Sequence, residues 1–484
     1  MKRIGLPLLL LSLCLLPLLA QDNGAGTLAA RLDTLIKYKL PQGSNVGISV
    51  YDLTDGKSLY GYQPDKLSRP ASTMKLLTTI TALSRPEADE PFRTEVWYRG
   101  TIAGDTLQGD VYVVGGFDPE LDDAAMDSLA NAVSRLPFSV IRGKIDGDVS
   151  LKDSLYWGSG WLWDDTPDAF QPYLSPLMLD KGVVTVSASP GERGDTARLV
   201  CTPASSYYQL ENRTRSHTPS AGLFRVSRNW LENGNTVVVT GNVSGEHSGS
   251  VNIYASEHFF MHTFVERLQA RGIRCLPGAE VLPASGSPFP YAFAEFREDS
   301  LSVPVAVYET SMQAVVKQMM QESDNLNAEA VLCRLGAQSS GKKRVAADDG
   351  LSAIRLLMKK LGHDPDRYRL ADGCGLSNYN YLSPELLVAF LRYAYSRTDV
   401  FQKLYKALPV GGVDGTLKNR MRKGTLSYRN VHAKTGSFTG INCLAGYLKA
   451  RNGHQIAFAI MNQNVLSGRE ARVFQDAVCD ELVR

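Results

Sequence analysis

Three short groupings of residues have the types and spacing for acyl-transfer chemistry. The first is Ser72 with Lys75, in Arg69-Pro70-Ala71-Ser72-Thr73-Met74-Lys75, where Pro70 precedes an apolar stripe (Met74, Leu76, Leu77, Ile80, Leu83) at helical spacing. Three residues apart at a helix start, a hydroxyl and an amine project from one face about one turn apart. A serine is a weak nucleophile at its free pKa, and a lysine that loses its proton in a desolvated site can serve as the activating base. Backbone N–H groups at a helix N-terminus can also face the oxyanion formed when such a serine attacks a carbonyl. The second grouping, Ser323-Asp324-Asn325, falls between two helical stretches, where a turn can hold short polar side chains in a cleft. The same tripeptide also reads as a helix cap, since all three residue types are preferred there. The third, Lys434-Thr435-Gly436-Ser437, ends a predicted strand: Gly436 lets a ligand approach the backbone, and the lysine and hydroxyls suit a carboxylate.

Singly these groupings are weak signals. Ser-x-x-Lys recurs at Ser339/Lys342 and Ser340/Lys343, in a polar run that reads as an exposed loop, and Ser-x-Asn recurs at Ser227/Asn229 and Ser250/Asn252. Lys-Thr-Gly occurs once. His258 and His262, at helical spacing, lack the glutamate of a metalloprotease helix and read as a solvated helix face.

The elements that must position these residues are legible in outline. The chain has 484 residues, enough for about three domains. With 44% hydrophobic and 21% charged residues it has the composition of a folded globular protein, and a net charge of +2 offers no basic stripe for nucleic acid. Residues 1–20 read as a secretory signal: Lys2 and Arg3, an apolar run from Leu6 to Leu19 broken by Pro7 and Pro17, then Ala20 before a polar Gln21. The expectation is an exported, periplasmic protein that is soluble or at most peripherally bound to the membrane. A lipid anchor on Cys14 is disfavoured by the bulky Leu13 before it. Six cysteines remain after residue 20, too widely spaced to assign bridges.

Residues 27–38 read as a helix, 46–53 and 58–62 as a hairpin around Asp55-Gly56, and the Ser72 helix follows. From about 91 to 302 the pattern is short β runs with turns, after which helices return and the chain closes with three strands and a helix near 469–482. The N-terminal piece is too small for its own core and the C-terminal strands need partners. Residues 21–90 and 303–484 are therefore expected to form one discontinuous α+β domain, interrupted by one or two β-rich domains over 91–302.

Taken in order, Ser72/Lys75, Ser323/Asn325 and Lys434-Thr435-Gly436 resemble the motif set of penicillin-binding proteins and class A β-lactamases. Ser72 and Ser323 are 251 residues apart, and Ser323 and Lys434 are 111 apart. With Gly115-Gly116-Phe117-Asp118-Pro119, Trp161-Leu162-Trp163-Asp164-Asp165, Asp372-Gly373-Cys374-Gly375-Leu376-Ser377 and Gly412-Val413-Asp414-Gly415-Thr416-Leu417, the chain resembles the low-molecular-mass class C penicillin-binding proteins. These are D-alanyl-D-alanine carboxypeptidases and endopeptidases of the penicillin-binding protein 4 type, with a large insertion between the first two motifs. The family usually has serine where this chain has Cys374, which the sequence reads as a buried small residue or half of a disulfide, away from the chemistry.

The resemblance implies a transpeptidase-like α+β domain, an antiparallel sheet flanked by helices. It implies that Ser72 attacks a D-alanyl peptide bond with Lys75 as base, that Ser323 passes a proton to the leaving amine, and that Asn325 holds the acyl-side amide. Lys434, Thr435 and Ser437 would bind the terminal carboxylate beside Gly436, and the amides of Ser72 and Ser437 would form the oxyanion hole. Asp165, with Phe170 five residues on, matches an insertion segment that contacts the peptide stem, although both residues could equally be structural. The implied partners are peptidoglycan stem peptides, cross-links and β-lactams, with no metal or organic cofactor and no nucleic acid; oligomeric state stays open. The competing readings are a β-lactamase, which requires fast deacylation, and a catalytically silent peptidoglycan-binding protein.

Overall fold

The computed structural model describes residues 26–276 and 291–484; the expected signal at 1–20 lies outside them. Alternation along one strand explains the architecture. In Gln455–Val465, Ile456, Phe458 and Ile460 pack against Leu32, Phe474 and Val478, while Ala457, Ala459 and Met461 face Leu387, Phe390 and Leu391 on the opposite side. A period of two with both sets apolar is the signature of a strand buried on both faces. The alanines leave room for the helix Pro384–Ser396 to lie directly on the sheet.

The sheet is antiparallel, in the order His432–Phe438, Gly440–Lys449, Gln455–Val465, Asn45–Asp52, Lys57–Tyr62. Ile48 sits opposite Ile460 and Ser49 opposite Ala459, so the first hairpin joins the last strands in one sheet. Helices Leu28–Lys39 and Gly468–Val483 cover one face. On the other lie Met74–Leu83, Met312–Gln321, Asn325–Ser340, Ala347–Lys360, Pro384–Ser396 and Thr398–Ala407. This is the expected α+β fold. Each fully buried Leu, Ile or Phe here contributes about 1.5–3 kcal/mol.

The intervening chain builds separate sheets. The largest runs Arg274–Cys275, Val140–Ile141, Thr106–Gly115, Phe92–Ala103, Ser302–Thr310, with Ile145–Asp148 also on Thr106–Gly115 and Tyr291–Phe293 beyond it. Helices Asp123–Ser134 and Ser256–Ala270 close its core through Met126, Leu129, Phe260 and Phe264. Two three-stranded sheets complete the unit. The expected break between 302 and 303 falls at the start of Ser302–Thr310, which pairs along Phe92–Ala103 until Thr310 faces Phe92. Ladder hydrogen bonds therefore carry the inserted unit on to Thr310. A second expectation is corrected too: the helix of His258 and His262 is not a solvated face. His262 is 5% exposed among Phe259, Phe260 and Phe264, with its Nε2 2.9 Å from Ser206 Oγ, and His258 Nδ1 lies 3.1 Å from the Tyr291 hydroxyl.

Candidate active site

Ser72 lies in a tight turn, Ala71–Thr73, that runs straight into the helix Met74–Leu83. Ala71 has φ +46°, a left-handed conformation that costs a non-glycine residue about 1–3 kcal/mol and persists where packing imposes it. Here Gly375 imposes it, because a Cβ on Gly375 would stand 2.0 Å from the Ala71 carbonyl oxygen. One turn on, Lys75 is fully buried, and its Nζ donates to Ser72 Oγ at 2.9 Å, Asn325 Oδ1 at 2.7 Å and the Cys374 carbonyl at 2.8 Å. Burial pushes the Lys75 ammonium below its ordinary pKa, against the pull of the Asp372, Asp324 and Glu329 carboxylates.

In Ser323-Asp324-Asn325 the capping and site readings divide between residues. Asp324 is the cap: its carboxylate accepts the Asn327 N–H at 3.0 Å at the start of helix Asn325–Ser340. Lys181 of the inserted unit braces it at 3.1 Å. Ser323, at φ +63°, and Asn325 are thereby left to point elsewhere. Asn325 accepts from Lys75 through Oδ1 and donates through Nδ2 to the Phe170 carbonyl at 2.8 Å. Ser323 Oγ accepts from Lys434 Nζ at 2.8 Å.

Lys434 is fully buried in the edge strand His432–Phe438 and also donates to the Thr435 carbonyl at 2.9 Å. Burial, then the nearby charge of Lys75, hold its pKa well below the ordinary lysine value. Gly436 is required by proximity: a Cβ there would meet the Pro70 carbonyl oxygen at 2.6 Å and the Ser72 and Thr73 nitrogens at 3.0 Å. Thr435 Oγ1 donates to Thr416 Oγ1 at 2.9 Å, which brings in the Gly412–Leu417 segment, and Ser437 Oγ donates to Asn442 Oδ1 at 3.4 Å. The strand and the nucleophile turn are thus in close contact, bringing together two hydrogen-bonded groups, Ser72–Lys75–Asn325 and Ser323–Lys434. The duplicate serines at 339 and 340 and their lysines are exposed as expected, but the serines end the helix Asn325–Ser340 rather than lying in a loop, since that helix runs on to its cap at Gly341.

Phe170 meets the cluster through its carbonyl; its ring is exposed. Asp165 stands half-buried on the turn Trp163–Asp165, its pKa raised by burial and by Asp164 and Asp168. A cavity of ≈ 500 Å³ opens beside Ser323, Asn325 and Phe170, walled by Lys181, Thr185 and Ser250 of the inserted unit.

Sequence reasoning missed the layer beneath. Asp372 accepts N–H groups of Gly375 at 2.8 Å and Ser377 at 2.6 Å, the Asn380 side chain at 2.7 Å and the Trp161 indole at 2.9 Å. Glu329 Oε1 accepts the amides of Gly373 at 2.9 Å and Cys374 at 2.8 Å. Cys374 is a buried thiol outside any disulfide, and its carbonyl, not its side chain, reaches the cluster by accepting from Lys75 Nζ. A usable signal existed: Glu329 is one helical turn beyond Asn325 and shares its face. Glu329, Asp372 and Cys374 also have potential metal-ligand atoms within 4.8 Å of one another, as do Asp52, Asp55 and His454 on the far hairpin. In the buried group both carboxylates are occupied by N–H donors, and the cation they face is Lys75.

Residues 28–482 match the model of the D-Ala-D-Ala carboxypeptidase 3 (S13) family. The chain belongs to that family. It is 29% identical to the D-alanyl-D-alanine carboxypeptidase of Actinomadura sp. strain R39, over 96% of this chain and 86% of that protein. Identity to the D-alanyl-D-alanine carboxypeptidase DacB of Haemophilus influenzae is 26%, over 87% and 86%. The crystal structure of penicillin binding protein 4 (dacB) from H. influenzae superposes with TM-score 0.78 at 22% identity, covering 94% of this chain and 99% of that one. The fold is therefore that of penicillin-binding protein 4. Among the described residues no helix is long and apolar enough to cross a membrane.

Proposed function

We propose that this protein is a serine D,D-peptidase of peptidoglycan that works through an acyl-enzyme on Ser72. The observation that carries the proposal is the buried Lys75 amine 2.9 Å from the Ser72 hydroxyl, with its other partners fixed by Asn325 and the Cys374 carbonyl. A lysine whose pKa is lowered by burial spends more time neutral, and the neutral amine takes the Ser72 proton as Oγ bonds to the D-alanyl carbonyl carbon. The oxyanion is received by the N–H groups of Ser72 and Ser437, where the strand abuts the nucleophile turn. Ser323, hydrogen-bonded to Lys434, hands its proton to the departing amine as the C–N bond breaks. Lys434, Thr435 and Ser437 hold the leaving residue's carboxylate, and Asn325 holds the acyl-side amide. Water then cleaves the ester and restores Ser72. Asp165 and Phe170 contact the stem peptide from the inserted unit.

The family membership supports the reaction class, and one H. influenzae structure of the same fold is complexed with a β-lactam (TM-score 0.71, 21% identity, 93% and 98% coverage). Acylation by β-lactams is expected from the same geometry, and the charged-then-apolar pattern of residues 1–20 supports export to the periplasm, where such a substrate lies. The test is intact-mass spectrometry after brief exposure to benzylpenicillin, with peptide mapping, beside Ser72→Ala. A one-to-one adduct on Ser72, absent in the variant, is expected. A folded protein that forms no adduct would favour a silent binding protein, and hydrolysed drug without a lasting adduct would favour a β-lactamase. Release of D-alanine from monomeric muropeptides, against cleavage of cross-linked dimers, then separates carboxypeptidase from endopeptidase action.

A further inference from the structure

Lys75 has three partners, and two of them, Ser72 and Asn325, belong to the reaction itself. The third is a backbone carbonyl, and what holds that carbonyl in place is a side chain with no direct contact to substrate. Residues 373 and 374 are clamped between two helices. From the Asn325–Ser340 helix, Glu329 Oε1 takes both of their N–H groups, at 2.9 and 2.8 Å. From the nucleophile helix, Thr78 Oγ1 donates to the Gly373 carbonyl at 2.7 Å and Lys75 Nζ to the Cys374 carbonyl at 2.8 Å. Glu329 is 4% exposed. On its far side is a mainly apolar cavity of ≈ 330 Å³ whose walls include Leu332, Cys333, Leu351 and Leu370.

We infer that Glu329 is a positioning residue for Lys75, acting through the Cys374 peptide, and that its ionisation sets how readily Lys75 gives up its proton. The inference rests on the acyl-enzyme reading above. One carboxylate oxygen receiving two amides fixes the peptide plane, and that plane aims the carbonyl at Nζ. The same carboxylate is one of the charges that favour protonated Lys75. Burial, then the neighbouring Asp372, push the Glu329 carboxyl up to about 7, against the two amide bonds that favour the anion. The groups facing it are Asp372 and Cys374 on the clamped loop, Lys75 on the nucleophile helix, and Cys333 one turn along its own helix. Around the cavity stand Lys152, Asp153, Asp348 and Arg369.

A carboxamide oxygen can accept both amides as a carboxylate oxygen does. Glu329→Gln therefore keeps the geometry of the clamp and removes the charge, whereas Glu329→Ala removes both. The experiment measures the second-order acylation rate by a fluorescent penicillin from pH 5 to 10 for the wild type and both variants, with thermal melts as the folding control. The wild-type rate is expected to rise as Lys75 loses its proton. Glu329→Gln is expected to move that rising limb to lower pH by about half a unit or more at a similar plateau. Glu329→Ala is expected to lower the plateau about tenfold or more. A Glu329→Gln profile that superimposes on the wild type overturns the inference, and so does a folded Glu329→Ala variant with a wild-type plateau. If Glu329→Ala does not fold, the Glu329→Gln profile alone decides. No acylation of the wild type at any pH would instead sink the acyl-enzyme reading, which keeps the two failures distinct.

Discussion

The catalytic body and the inserted unit treat their charged groups in opposite ways at the point where they meet. The body buries Lys75, Lys434, Glu329 and Asp372 and satisfies them with named partners. The inserted unit brings Asp164, Asp165 and Asp168 to its rim, and the segment carrying them reaches the body through bonds that include Trp161 to Asp372 and Asn325 to the Phe170 carbonyl. A buried and bonded group cannot reorient, so it suits a step common to every substrate. A rim group in water has weak, adjustable interactions, so it suits choice among substrates. On the proposed function, the difference assigns reactivity to the buried part and selectivity to the rim, the two meeting at Asn325, Asp372 and, through Lys181, at Asp324.

Substitutions can break this division or sharpen it. The largest effect belongs to the buried half: Lys75→Met should lower both benzylpenicillin acylation and peptide hydrolysis by ~10²–10⁴-fold, as loss of a general base does. A stopped-flow acylation assay reads it, and a large drop with peptide alone would erase the division. Trp161→Phe keeps the ring and removes the N–H that Asp372 accepts at 2.9 Å. Because Asp372 braces the loop under Lys75, both reactions should slow by about tenfold, since only part of the roughly 1.5–3 kcal/mol of one charge-assisted hydrogen bond is transmitted to Lys75. The smallest effect should come from Asp165→Asn, which is expected to change kcat/KM for a stem peptide a few-fold, in the range of a solvent-exposed charge contact, and more than it changes the penicillin rate. Equal changes in both would place Asp165 with the buried group.

Stability offers a further check. Glu329 titrates near 7 when folded, above a carboxyl's ordinary range, so the folded state binds the extra proton and its advantage is lost as pH rises from about 4.5 through 7. Glu329→Gln has no such loss. Its melting temperature relative to wild type should therefore be higher at pH 8 than at pH 5, by differential scanning fluorimetry.

The residues whose side chains meet in the cluster were legible in the sequence, because the proposed nucleophile, base and carboxylate-binding lysine need particular types at particular spacings. So was the union of the two chain ends, since neither Asn45–Asp52 nor Gln455–Val465 could bury its apolar faces alone. The contact of Cys374 with Lys75 was not legible because it is made by a carbonyl, which every residue possesses and no side chain announces. The end of the inserted unit was placed too early because Ser302–Thr310 takes its identity from a partner strand far upstream, Phe92–Ala103. Lys181 escaped notice for a similar reason: its partners, Glu120 at 2.8 Å and Asp324 at 3.1 Å, come from distant parts of the chain.

The pairing of Asn45–Asp52 with Gln455–Val465 also dictates a sequence of events in time. Asp52 can zip with Lys57 as soon as the Asp55-Gly56 turn is made, just as Phe92–Ala103 can zip with Thr106–Gly115, but its other sheet partner, Ile456, comes from the last strand of the chain. Loops that long close late, after local hairpins have formed. On the proposed mechanism Ser72 is thus made long before the strand of Lys434 that packs beside it, so a chain interrupted before its final strands carries Ser72 without its completed site.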